Sequence, residues 1–349
     1  MGADIPQHWN VQRSRAVGEH SRRIAMVQPT LKASPMKAVV VRDFGGPDQL
    51  VLDEVADPTP EPGQLRIVVH AAGTNPVDAG NRADGSWAGV TTPYIPGYDI
   101  AGVVDQVGSG VSSFAVGDRV MAMTHFPGGG GGYAELAVVS ADNAAHLRPT
   151  TTFVEAAATP LAGGTALTAL ARLGLPPGAR LLVIGASGGV GLFLLQLAAT
   201  QGLTTIAIGR RDMHDRMYDL GACACIDYTS EDVAQRAVEL GDGPVDAVAD
   251  LVGGMLLQSV LPALRPYGSV ATIATPLLDL DPVLDNNITL HGVLINDDGE
   301  RTARLAAMLA DGTLQPAISR VLPLADASEA HRILERHHTG GKIVLMVGA

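Results

Sequence analysis

The chain is short of cysteine and of positive charge, and each shortage excludes a class of protein. Only two cysteines, Cys223 and Cys225, occur in 349 residues, too few for a disulfide framework and badly spaced for a bridge along one strand. Their C-x-C spacing is half of a metal site, but no second pair exists, and two buried small side chains are the simpler reading. Lysine and arginine total 24 against 36 acidic residues, for a formal net charge of -12 and an isoelectric point near 5.2. No run of basic residues interrupts that balance, so nucleic acid and anionic membranes are repelled on average. Residues 1–35 carry no apolar run of signal-peptide length and no periodic face. Arg13, Arg15, Arg22 and Arg23 hint at an organelle transit segment, and Asp4 and Glu19 argue against one. The expectation is a flexible extension, or an upstream start before Met36, on a cytoplasmic protein.

One further absence is local. Between Arg180 and Arg210 no side chain is charged, and a stretch of that length could cross a membrane as a helix. Its composition points elsewhere. Gly185, Gly188, Gly189 and Gly191 crowd into GASGGVG, and glycine is a poor helix former. LLVI before them and TTIAI after them have the length of fully buried parallel strands, and LFLLQLAATQG between suits a helix. Strand, glycine turn, helix and strand make a βαβ unit of ordinary length. A sheet covered on both faces explains the missing charges without lipid.

The surrounding pattern gives the organisation. Length suggests two domains. From Met36, short strands are broken by glycine and proline: MKAVVVRDFGG, QLRIVVHAAG, YDIAGVVDQVG, GDRVMAM and GYAELAVV. Turn signals every ten or so residues fit a small β-barrel-like module. From residue 153, FVEAAATPLAGGTALTALARLG reads as alanine-rich helix, and further strands at VDAVADLV, GSVATIA and ITLHGVLI alternate with helical segments. That alternation predicts a doubly wound parallel sheet, hence an α/β chain. RTARLAAMLADG predicts another helix, and KIVLMV a last strand over 342–347.

The glycine spacing carries chemistry. In the dinucleotide fingerprint the first small residue makes the turn, the second lets the backbone approach the pyrophosphate and the third allows close helix packing. Ala186, Gly188 and Gly191 occupy those places, with Ser187, Gly189 and Val190 between them. The helix start then faces the phosphates with its free N–H groups and positive dipole end. An acidic residue about 20 positions on would hold an NAD ribose. Arg210 and Arg211 follow Gly209 instead. Either they grip the 2'-phosphate of NADPH, the reading adopted, or they merely solvate the surface.

These residues, with AAGTNPVDAGNR (71–82), PGYDIAGVVDQVGSGVSSFAVGDRV (96–120), LAGGTALTAL (161–170), LGACACIDY (220–228), DLVGG (250–254) and GGKIVL (340–345), occur in an order that resembles the medium-chain dehydrogenase/reductases. The zinc-free quinone oxidoreductase branch, which includes the zeta-crystallin-type reductases, is the nearest in kind. The resemblance implies a GroES-like β-barrel domain over 36–159, a Rossmann NADPH-binding domain over 160–296, a return to the first domain over 297–349, and a homodimer. It implies further that Thr165 lies at the nicotinamide ring, that Tyr228 stands beside the 2'-phosphate with Met213 in place of a lysine, and that Lys342 belongs to the cofactor site. Asn75, Asp78 and Arg82 match the family's N-x-x-D-x-x-x-R segment and are candidates to orient substrate or nicotinamide; alternatively Asp78 and Arg82, four apart, pair and brace a loop.

The departures matter as much. Gly97, Tyr98 and Asp99 stand where zinc-dependent relatives carry Gly-His-Glu, and residues 71–78 hold no cysteine, so no metal is expected. Trp87 stands where related reductases often carry a tyrosine, and an indole N–H is no proton source at neutral pH. Tyr94, Tyr98 and His125 are left as candidate donors, with water or a mere packing role as the alternatives. Tyr133, beside the glycine run, reads as part of a mobile lip or of a plain turn. Without a Lewis acid the acceptor must be electron-poor, a quinone or an enone whose reduction leaves a stabilised anion. The expectation is thus an NADPH-dependent, zinc-independent quinone oxidoreductase. An enoyl-thioester or alkenal reductase is the alternative enzyme, and a non-enzymatic NADPH-binding structural protein the alternative of another class.

Overall fold

The computed structural model describes residues 35–336 and 339–348. The extension expected over 1–35 lies outside them, except that Pro35 already opens a strand. β1 (Pro35–Val41) pairs antiparallel with β2 (Leu50–Ala56). After them come β3 (Gln64–Gly73), α1 (Pro76–Asp84), β4 (Asp99–Val107), β5 (Arg119–Met123), β6 (Leu136–Ser140) and β7 (Ala144–His146). β3 is the hub, pairing antiparallel with both β4 and β6. Its alternation puts Leu65, Ile67 and Val69 on one buried face, as the period of two requires.

The alanine-rich segment breaks into two helices, α2 (Phe153–Ala157) and α3 (Pro160–Leu173). Pro160 has no N–H to continue the preceding turn and a φ already set for a new first turn, so the chain restarts there.

The parallel sheet follows. β8 (Arg180–Ile184), α4 (Gly189–Thr200), β9 (Thr204–Gly209), α5 (His214–Asp219) and β10 (Ala224–Asp227) form one half. After α6 (Val233–Gly241), β11 (Val245–Asp250), α7 (Leu256–Val260), β12 (Leu264–Thr272), α8 (Asp281–Asp285) and β13 (Thr289–Gly292) form the other. The order is β10-β9-β8-β11-β12-β13, every pairing parallel. From Leu181 to Ile184 every side chain is fully buried, and Leu192 to Leu195 on α4 are nearly so; that burial accounts for the uncharged stretch. No helix of the described residues is long and apolar enough to cross a membrane.

The chain ends with α9 (Gly299–Ala310), β14 (Ile318–Pro323), α10 (Ala327–Glu335) and β15 (Lys342–Met346). β15 pairs antiparallel with β3, which returns the last strand to the first sheet. The cysteine expectation is half corrected: Cys225 on β10 is buried, whereas Cys223, just before that strand begins, is exposed.

Candidate active site

The strand order reverses at β8, where β9 lies on one side and β11 on the other, and in open α/β sheets ligands bind outside such a switch point. GASGGVG emerges there. Gly185 leaves the strand at a φ of +75, which only glycine adopts freely. A Cβ on Gly191 would stand 2.5 Å from the carbonyl oxygens of both Gly185 and Ala186, so α4 starts pressed against the turn. Gly188, the N-cap, faces differently: within 4 Å its Cβ would meet only the Gly185 oxygen, at 3.3 Å. Ala186 and Gly191 are buried, while Ser187, Gly188, Gly189 and Val190 are half-buried. The turn is a cradle that a side chain at 188 would fill, and it fits a pyrophosphate held by the first N–H groups of a twelve-residue helix.

Three neighbours line the same sheet edge. A Cβ on Gly209, the last residue of β9, would lie 3.4 Å from Ser187 Cβ. Arg210 follows it, exposed, its Nε and Nη2 each 3.2 Å from a carboxylate oxygen of Asp212. Arg211 is exposed as well. Asp227 pairs with Gly209 across the sheet, so the exposed Tyr228 leaves β10 at the level where Arg210 leaves β9.

A second cluster gathers where α1 meets the first sheet. Asn75 caps α1 in a capping box with Asp78, whose Oδ2 accepts the Asn75 N–H at 2.8 Å. The same oxygen accepts the Tyr133 hydroxyl at 3.0 Å, and His331 Nε2 lies 3.3 Å from that hydroxyl. Burial, with the Asp99 charge adding to it, pushes the Asp78 carboxyl up to about 7. Arg82 is buried and pairs with Glu335 of α10, so the helical Asp78–Arg82 pair does not form. Tyr133 is fully buried in this network and is no lip residue. Tyr98 is buried too; its hydroxyl accepts from Asn81 Nδ2 at 2.6 Å and donates to the Gly128 carbonyl at 2.7 Å. Burial raises its pKa, so the phenol stays protonated.

Tyr98, Met123, Phe126, Leu161 and Ile295 form a separate apolar cluster joined by Val77. The Trp87 ring, half-exposed, lies 5.6 Å from that of Phe126. His125 is exposed, with Nδ1 3.6 Å from Asp297. Thr165, one turn below Leu161 on α3, bonds back to the Leu161 carbonyl at 2.7 Å.

Lys342 joins the two clusters. Its ammonium reaches the Thr74 carbonyl at 2.8 Å, Asn75 Oδ1 and Asp99 Oδ2, and its stem passes 3.1 Å from where a Gly189 Cβ would be. An ammonium has three donors, and all three are taken up by these protein acceptors, with the lysine stem packed against the glycine turn. Asp99, Tyr133, His331 and Glu335 were missed as members of this network. For Asp99 the signal was its position after Tyr98 in PGYDIAG; the others gave none.

Among the described residues no three His, Cys, Asp or Glu side chains converge on a metal position. The Tyr98 oxygen is engaged, and Asp99 faces an ammonium.

Comparison with known proteins matches this architecture. The alcohol dehydrogenase GroES-like domain matches residues 61–149, and the zinc-binding dehydrogenase family matches residues 220–345. The quinone oxidoreductase of Sus scrofa is 31% identical over 325 residues, covering 89% of this chain and 98% of its own. The chain belongs to the quinone oxidoreductases of the medium-chain dehydrogenase/reductase superfamily. A quinone oxidoreductase from Coxiella burnetii has the same fold, with a TM-score of 0.84 at 32% identity over 90% of this chain and all of that one. A mycobacterial relative solved with NADPH follows at a TM-score of 0.78 and 31% identity, over 89% of this chain and 99% of its own. The 2-methylene-furan-3-one reductase of Solanum lycopersicum is 32% identical over 98% of this chain and 85% of its own. Membership makes the chain an NAD(P)-dependent oxidoreductase acting on a small molecule, with a GroES-like domain and a Rossmann sheet.

Proposed function

We propose that this oxidoreductase uses NADPH to reduce a quinone or a related conjugated carbonyl compound, without zinc. The observation that carries the cofactor choice is the end of β9. No acidic side chain immediately follows Gly209, and Arg210 and Arg211 lie there exposed, Arg210 at the level of Tyr228. The nearest carboxylate, Asp212, is already bound by Arg210 and orients that guanidinium. A guanidinium so held grips a phosphate with two parallel hydrogen bonds. Ser187, Gly188, Gly189, Val190 and Gly191 would hold the pyrophosphate, and Thr165 the region of the nicotinamide.

When bound, the cofactor supplies a hydride; this chain supplies position. Asn75, with Asp78 holding its backbone, would orient acceptor or nicotinamide; Arg82, paired with Glu335, would brace α1, which packs on the apolar cluster around Tyr98 through Val77 and Asn81. Hydride addition to such an acceptor leaves a delocalised anion that needs no Lewis acid. The tomato relative gives specific support to a second reading within the same chemistry, reduction of a carbon–carbon double bond conjugated to a carbonyl.

The domain limits 36–159, 160–296 and 297–349 are proposed on sheet membership. A homodimer is proposed as well: among the described residues β13 pairs with β12 alone, and Leu284, Leu290, Leu294 and Tyr267 around that open edge are exposed. The free cysteines suit a reducing cytoplasm. The deciding assay follows nicotinamide oxidation with quinones, enones, alkenals and enoyl thioesters, using NADPH and NADH, before and after exhaustive chelation. Turnover of quinones with NADPH, undiminished by the chelator, is expected. Turnover confined to enones, alkenals or thioesters selects the double-bond reading, and loss of activity together with stoichiometric zinc overturns the metal-free one.

A further inference from the structure

The pair formed by Lys342 and Asp99 is 4% and 0% exposed. Taking both charges out of water is expensive, and such a pair is often no more stabilising than apolar residues of the same volume. Its retention calls for a geometric reason. Three acceptors surround Lys342 Nζ, namely Thr74 O, Asn75 Oδ1 and Asp99 Oδ2. Three donors converge on Asp99: Asn75 Nδ2 at 2.9 Å, Leu161 N at 2.7 Å and Lys342 itself at 3.4 Å. Burial drives the carboxyl pKa up and the amine pKa down. The count of donors and acceptors nevertheless fits an ammonium facing a carboxylate, because only an ammonium has a donor for each of the three acceptors and a carboxylate accepts from all three donors.

The elements tied together are telling. Lys342 comes from β15 and Asp99 from β4, Asn75 caps α1, and Leu161 lies in the first turn of α3, the helix that carries Thr165. The lysine stem also packs beneath Gly189, in the first turn of the nucleotide helix α4. Both ends of the Asn75 amide are fixed, Oδ1 by the ammonium and Nδ2 by the carboxylate. One buried pair therefore sets the orientation of a proposed substrate-facing amide and its distance from the glycine turn.

We propose that Lys342, through Asp99, is a positioning residue that locks the Asn75 amide and the first turn of α3 in register with the glycine turn, so that acceptor and nicotinamide meet at reacting distance. The proposal rests on the nucleotide reading of the glycine turn. The three donors of Lys342 are all engaged by protein acceptors, so its loss is expected to leave ground-state binding intact and to remove alignment, to which rates are steeply sensitive.

Three variants test this: Lys342→Met, Asp99→Asn, and the two together. Each is followed by melting temperature, by NADPH affinity from cofactor fluorescence, and by kcat and KM. Lys342→Met strands a buried carboxylate and melts lower. The double variant leaves no unpaired charge and is expected to fold with a near-wild-type melting temperature, to bind NADPH within threefold of wild type, and to lose at least tenfold in kcat with acceptor KM changed less than threefold. Recovery of wild-type kcat in the double variant makes the pair purely structural and overturns the proposal, as does its failure to fold. A tenfold loss of NADPH affinity at unchanged kcat makes Lys342 a cofactor ligand and overturns it too. Failure of the nucleotide reading looks different: wild-type protein then shows no NADPH fluorescence change at all.

Discussion

Two buried groups beneath α1 act on stability with opposite signs, and Asp78→Asn separates them. Burial pushes Asp78 up to about 7, and burial, helped by the nearby Arg82 charge, pushes His331 down to about 3. Asp78 titrates near 3.8 when unfolded, so between about pH 4 and 7 the folded state keeps a proton the unfolded state has released, and stability falls as pH rises. His331 titrates near 6.5 when unfolded, so below that pH the unfolded state takes a proton the folded state refuses, and stability is lost as pH falls toward 3. At about 1.4 kcal/mol per pKa unit, the shifts have ceilings of about 4 kcal/mol for Asp78 and about 5 kcal/mol for His331. In the wild type the two slopes oppose one another over about pH 4 to 6.5. Asparagine at 78 keeps an oxygen for the Asn75 N–H and the Tyr133 hydroxyl, so the capping box survives; its NH2 takes the place of Oδ1, which has no partner, a cost that does not vary with pH, so the pH-dependent part of the difference isolates the titration. Urea unfolding of both proteins from pH 4.5 to 8 reads the difference directly. Relative to its value at pH 4.5, the stability difference should move steadily in the variant's favour, by about 2 to 4 kcal/mol by pH 8. Parallel stability curves across that range would refute the reasoning, because Asp78 would then titrate alike in both states.

Replacing Arg210 and Arg211 together by alanine should weaken NADPH about tenfold or more and leave NADH nearly unchanged, since charged hydrogen bonds contribute about 1.5 to 3 kcal/mol; an unaltered ratio of the two affinities in calorimetry refutes the 2'-phosphate assignment. Gly188→Val and Gly191→Ala should fail differently. The first fills the cradle and abolishes cofactor binding in a folded protein, whereas the second forces a Cβ to 2.5 Å from two carbonyl oxygens and destabilises by about 1 to 3 kcal/mol. Equal melting temperatures for the two would count against this division of roles. Leu290→Glu with Leu294→Glu should convert a dimer to monomer in sedimentation velocity, and an unmoved sedimentation coefficient places the interface elsewhere.

The fold was legible wherever a constraint is local. An uncharged run with glycines crowded at its centre leaves few options other than two buried strands and a helix, because burial on both faces and the tight turn are each written in adjacent residues. Even the departure at Pro160 is local, since a proline inside a helical pattern restarts it. The placement of the glycine turn after β8 and of Arg210 after β9 was legible for the same reason: each position follows from spacing after one strand.

Partner choice among buried polar groups was not legible. Asp78 and Arg82 have the spacing of a helical ion pair, yet Arg82 pairs with Glu335, 253 positions away, and Asp78 binds Tyr133, 55 positions away. Lys342 reads in sequence as one residue of a short motif near the cofactor, and its contact with Asp99 spans 243 positions. Local pattern determines which residues become strand, turn and helix, because those preferences act over a few neighbours. Only the return of β15 to the first sheet decides which charges meet, because a buried charge takes whichever partner the topology brings within hydrogen-bonding distance.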